Sequence, residues 1–212
     1  MKNLFLIILS FVLFNTSYAN ENKYLQSMQK GFELLKEAKT SKDLLIVSEY
    51  FKKIESNDFS VWLPIYYSSY STFFAGIYED NKEIKDQLFD RALVDAEKIL
   101  ITNENGSEVY TLQAYIKLMK ISVKPMPRAV SGTGKAMELI KKAIELNPEN
   151  PRPYFVKGQN TFYTPSMFGG GPEKAKPFFL EAKTKYEKDA NIGSLLPIWG
   201  KTRNNDLYNK CP

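Results

Sequence analysis

From residue 24 onward, apolar side chains recur three and four positions apart, no stretch alternates with period two, and turn signals interrupt the pattern. That spacing puts apolar residues on one side of a 3.6-residue turn and predicts helices throughout. They cover 23–38, 42–55, 59–78, 82–102, 106–122, 134–146, 151–163, 172–188 and 194–209. Breaks fall at Asn103-Glu104-Asn105-Gly106 and Asn147-Pro148-Glu149-Asn150-Pro151, which combine residues that resist helical backbone. Ser41 and Ser107 are candidate caps, and Pro172 suits a first turn, where its missing N–H would have no partner anyway. The helix over 59–78 is apolar on two faces, with Trp62, Tyr66, Phe73 and Ile77 on one and Leu63, Tyr67, Tyr70 and Phe74 on the other. A helix of that kind is expected between neighbours on both sides.

One pattern recurs. Ala136-x3-Ile140-x2-Ala143-x4-Pro148 is followed by Tyr154 and Gly158, Ala175-x3-Phe179-x2-Ala182 keeps the small, large, small order, and Ala92-x3-Ala96-x2-Ile99 keeps the spacing, with Tyr110 and Ala114 after it. This resembles the tetratricopeptide repeat family, over about two-thirds of the chain beyond residue 19. The resemblance implies an all-α, right-handed superhelical solenoid of helix hairpins, about three and a half to four repeats long, with the last helix, around Trp199, capping the open end. Against a unit of about 34 residues, the steps from Tyr110 to Ala136 and from Tyr154 to Ala175 are long, which predicts enlarged loops at Lys124 to Gly134 and Thr164 to Gly171.

The amino terminus breaks the helical rhythm. Lys2 precedes an apolar run from Leu4 to Phe14, and Ser17-Tyr18-Ala19 places small residues where a signal peptidase reads. The expected organisation is a signal peptide over 1–19 and a single domain over 20–212, delivered to the periplasm or beyond the cell. The run is far short of the roughly 20 residues that cross a bilayer, and no membrane span is expected after cleavage.

Composition narrows the chemistry. The chain has no His, which removes the commonest general base and zinc ligand. With one Cys, Cys211, it cannot form an internal disulfide. The net charge of +5 falls to +4 once Lys2 is removed, and the lysines are scattered along helices, so nucleic acid is not an expected partner. Ser131-Gly132-Thr133-Gly134-Lys135 has Ala129 and Ala136 where a phosphate-binding loop needs Gly and Ser or Thr. No cofactor, metal or enzymatic activity is expected.

The expected function is a non-enzymatic scaffold that binds a protein or peptide in its concave groove, and the alternative is a small-ligand or solute-transport accessory protein. If Tyr110 and Tyr154 begin equivalent inner helices, the groove side carries Thr111 and Tyr115 on one, and Phe155, Gln159 and Tyr163 on the next. Arg152 is a candidate to meet a partner's carboxylate. Tyr67 and Tyr70 come from the aromatic helix, and Phe168 from the loop before Gly169-Gly170-Gly171.

Overall fold

The computed structural model describes residues 22–55, 62–99, 101–102, 104–191 and 193–212; the expected signal peptide lies outside them. Among the described residues every regular element is helical: α1 (22–37), α2 (Ser41–Glu55), α3 (Trp62–Tyr78), α4 (Lys82–Glu97), α5 (Gly106–Val123), α6 (Pro125–Leu146), α7 (Pro151–Tyr163), a short 3-10 helix (Ser166–Phe168), α8 (Pro172–Tyr186) and α9 (Lys201–Tyr208).

From α2 to α9, each α-helix packs on the next in sequence, and α3, α5, α7 and α9 also touch one another in order. The odd-numbered helices thus form a closed-up layer with the even-numbered helices behind. Small residues set the spacing within the hairpins. A Cβ added to Gly76 would stand 2.6 Å from the Phe89 ring, and one added to Gly158 would stand 2.7 Å from Phe179. Gly31 meets Phe51 in the same manner, at 2.5 Å. Only helices without a side chain at those points approach this closely. One contiguous core runs from Met28 to Leu207, with a small satellite of Leu44, Ala75 and Leu88.

Several expectations are corrected. In α4 the large residue seated against the facing helix is Phe89, on Gly76, three positions ahead of the Ala92 at which the repeat spacing was expected to begin. The enlarged loop expected at Lys124 to Gly134 is helix: α6 starts at Pro125, because a proline in the first turn forfeits no hydrogen bond. Arg128 in that turn grips Asp86 of α4 through two hydrogen bonds, at 2.6 and 2.8 Å, and Gly132 lies close against Ile121. Thr40, not Ser41, caps α2, its hydroxyl accepting from the Asp43 N–H at 3.1 Å while Asp43 accepts from the Thr40 N–H at 3.0 Å. The Ser107 hydroxyl accepts from Asn150 at 2.9 Å and does not cap α5. Helix 82–102 stops at Glu97, and the last helix begins only at Lys201.

The stretch ahead of α9 positions the site. Pro197 and Gly200 prevent a helix there, and Gly200 holds φ at 102°, where any Cβ would collide with the Tyr186 hydroxyl. The segment 193–200 therefore crosses as extended and turned chain.

Candidate functional site

Helix α7 organises the site. Asn150 caps it by accepting from the Arg152 N–H at 3.0 Å, and Pro151 opens its first turn. Arg152, Phe155, Gln159 and Tyr163 then follow at spacings of three and four, which places them on one face. That face grades from a buried ion to an exposed phenol. Arg152, only 1% exposed, reaches Glu108 of α5 at 2.8 and 2.9 Å through Nε and Asp189 at 2.7 Å through Nη1. Burial works against the guanidinium's charge, but the two carboxylates outweigh it and hold its pKa above the ordinary arginine value.

Phe155 lies edge-on to Tyr115 and Trp199, with ring centres 6.1 and 6.3 Å away. The Gln159 side-chain amide meets the Tyr115 hydroxyl, Oε1 accepting at 3.2 Å and Nε2 donating at 3.1 Å, and lies 4.0 Å from the Met119 sulfur. Tyr163, 58% exposed, accepts a hydrogen bond from Arg203 Nη2 of α9 at 2.7 Å. Tyr115, Phe155, Gln159 and Trp199 thus form one cluster by direct contact, and Tyr163 pairs with Arg203 at the last residue of α7.

The segment 193–200 is laid across the same face. The Trp199 ring stacks on Tyr115 at 5.8 Å with planes 20° apart and lies 5.9 Å from Tyr70. Its backbone carbonyl accepts from the Tyr186 hydroxyl at 3.0 Å, and the Leu195 carbonyl accepts from Tyr67 at 3.0 Å. Burial pushes the phenols of Tyr67 and Tyr70 well above the usual tyrosine range, so they are neutral at physiological pH.

The expected groove residues come together, but mostly beneath the chain's own segment. Tyr67, Thr111, Tyr115, Arg152, Phe155 and Gln159 are buried, and Tyr70 is half-buried. Thr111 donates to the Ser107 carbonyl of its own helix at 2.6 Å. Arg152, expected to meet a partner's carboxylate, meets Glu108 and Asp189 of its own chain instead. Tyr163 and Phe168 are exposed, Phe168 at 72% with Met167 beside it. The loop expected at Thr164 to Gly171 is present, with a 3-10 turn inside it, and positive φ angles at Gly169 and Gly171 explain its glycines.

Trp199, Met119 and Arg203 each contact one of these residues and escaped the sequence as site candidates, because only the tertiary fold joins them to it. Among the described residues, Tyr110 and Lys142 line a surface depression of about 300 Å³ and Met137 and Lys157 line another of about 330 Å³, and neither lining includes a residue of this cluster. Among the described residues, no three His, Cys, Asp or Glu side chains are grouped to hold a metal ion, and no helix is long and apolar enough to cross a membrane.

No protein-family model and no curated protein matches the sequence. Among solved structures, the chain is similar to the HusA haemophore from Porphyromonas gingivalis, with a TM-score of 0.77 and 26% identity across 89% of this chain and 92% of that one.

Proposed function

We propose that this chain is an exported carrier of a haem-type ligand, held on the aromatic face that Tyr70, Tyr115, Phe155 and Trp199 form, with Met119 and the Tyr163–Arg203 pair on the helices that supply it. The observation that carries the reading is the likeness to a haemophore over nearly the full length of both chains. It favours the small-ligand alternative over the protein-binding scaffold, and so does the cover that segment 193–200 lays over Tyr67, Tyr115 and Phe155, three of the expected docking residues. We propose also that the hairpins form a superhelical array similar to tetratricopeptide repeats, with the odd helices lining its inner side.

The donor set suits such a cargo. A porphyrin is a flat apolar ring with two carboxylates on one edge; aromatic faces and a thioether suit the ring, and a guanidinium suits a carboxylate. Phe168 and Met167 directly follow α7 in the chain and add exposed apolar surface at that end. With no His in the sequence, the iron of a haem would have to be held by another residue type or not at all.

Titration of protein 20–212 with haemin and with metal-free protoporphyrin IX tests the reading. Trp199 and Trp62 are the only two tryptophans, so fluorescence quenching reports mainly on the site and its neighbouring helix. Saturable binding with a Kd of about 1 µM or tighter is expected, which corresponds to about 8 kcal/mol. Linear, non-saturating quenching by both porphyrins would sink the proposal.

A further inference from the structure

The run from Gly158 to Pro172 holds no charged residue across 15 positions, in a chain of which 25% is charged. Within it, residues 165–169 are all exposed, so the 3-10 turn stands out from the helices as a convex tip. There Met167 and Phe168 are 81% and 72% exposed, more than any other large apolar side chain among the described residues. Exposed apolar residues scattered singly are ordinary, whereas two side by side on a loop form a patch.

The tip is held in this shape by its own backbone. The N–H groups of Phe168 and Gly170 both donate to the Pro165 carbonyl, at 2.9 and 3.2 Å, and the Gly169 N–H donates to the Ser166 carbonyl at 2.9 Å. The Gly171 N–H returns to the Thr161 carbonyl of α7 at 2.8 Å and closes the loop on the helix. Gly170 lies so close to the Thr164 carbonyl that any Cβ there would collide with it. A segment ordered before it meets a partner loses little freedom on binding.

Size and charge indicate what the tip meets. Two such side chains offer roughly 300 Å² of apolar surface, well short of the roughly 800 Å² that each partner buries in a stable protein interface. A lipid surface needs no complementary shape, and anchorage in it grows with each apolar group buried. Cations flank the tip: exposed Lys174 in the first turn of α8, and exposed Arg203 of α9, which donates to Tyr163 at the end of α7. Glu173 is the one carboxylate in that first turn of α8, and the uncharged run keeps others off the loop itself. Anionic headgroups attract a flank of this kind.

We propose that the Met167–Phe168 tip docks this protein on an anionic bilayer surface. The two side chains enter the boundary between headgroups and acyl chains, while Lys174 and Arg203 meet the phosphates. The inference goes beyond the carrier reading and stands without it.

Co-sedimentation of protein 20–212 with vesicles tests it, using phosphatidylcholine alone and an equal mixture with phosphatidylglycerol. The parent should pellet with the mixed vesicles, and more weakly with phosphatidylcholine alone or in high salt. Met167→Ser combined with Phe168→Ser should lower the partition constant about tenfold or more, with a thermal melt that matches the parent because both side chains are exposed. Lys174→Gln should lower it about fivefold on the mixed vesicles only. Ile46→Ser, which removes a side chain 58% exposed on α2, should bind as the parent does. A parent that stays in the supernatant with both vesicles, or a double variant that pellets as the parent does, would overturn the docking assignment. So would a concentration-dependent dimer that the double variant loses, without any vesicle binding, since that would give the tip to a second copy of this chain. None of these outcomes bears on porphyrin binding.

Discussion

The Trp199 indole N–H donates to the Tyr66 hydroxyl at 2.8 Å, joining two side chains 133 positions apart in the sequence. Both belong to the aromatic core, so Tyr66→Phe removes an acceptor and leaves a half-buried donor unpaired. The variant should lose about 1–3 kcal/mol, read as a lower denaturation midpoint. A midpoint equal to the parent's would mean that Trp199 finds another partner.

Gly158→Ala forces a Cβ into the Phe179 ring and should destabilise by about 1–3 kcal/mol through overpacking. Gly134→Ala is the control: it lies in α6 with nothing within 4 Å of the added carbon, and should stabilise by about 0.5–1 kcal/mol. Thermal melts of the two variants should move in opposite directions, and a shift in the same direction would count against the close approach of α7 and α8.

Arg152→Met leaves Glu108 and Asp189 facing each other's charge in a buried site, with the counter-ion gone. A cost of about 3–5 kcal/mol follows from breaking one side of a buried pair. Urea denaturation measures it, and a loss below about 1 kcal/mol would place the triad in solvent.

The Arg128 hydrogen bonds hold the Asp86 carboxyl below the usual carboxylate range, despite some opposition from burial. A depressed folded pKa contributes stability that is fully present above the unfolded value of about 3.9 and is lost as pH falls through the lower folded value. Asp86→Asn should therefore be less stable than the parent by about 1–2 kcal/mol at neutral pH, with the gap closing toward about pH 2. Melts recorded across that range check it, and a gap that persists unchanged in acid would rule out the carboxylate as its source.

Much of the helical layout was legible because burial on one face imposes the three-and-four spacing that Ala136, Ile140 and Ala143 display. The start of α6 was not, since Pro125, Pro127, Gly132 and Gly134 read locally as breakers, while the contact that anchors this turn, Arg128 to Asp86, spans 42 positions. The site was half legible. Register brought Tyr115, Phe155, Gln159 and Tyr163 to one face, as the structure places them. It could not show that Trp199 would lie on Tyr115, or that Arg203 would reach Tyr163, because nothing in the local composition of 193–203 encodes a position 40 to 130 residues upstream.

An array whose members touch only their sequence neighbours can fray from either end, one hairpin at a time. Here the segment 193–200 reaches back to Tyr66 and Tyr67 in the third helix, so the carboxyl-terminal end cannot detach without opening the aromatic layer it covers. The closure converts a chain of nearest-neighbour couplings into a single cooperative unit. It should unfold in one transition, and deletion of residues 193–212 should replace that transition with a broad, multiphase melt.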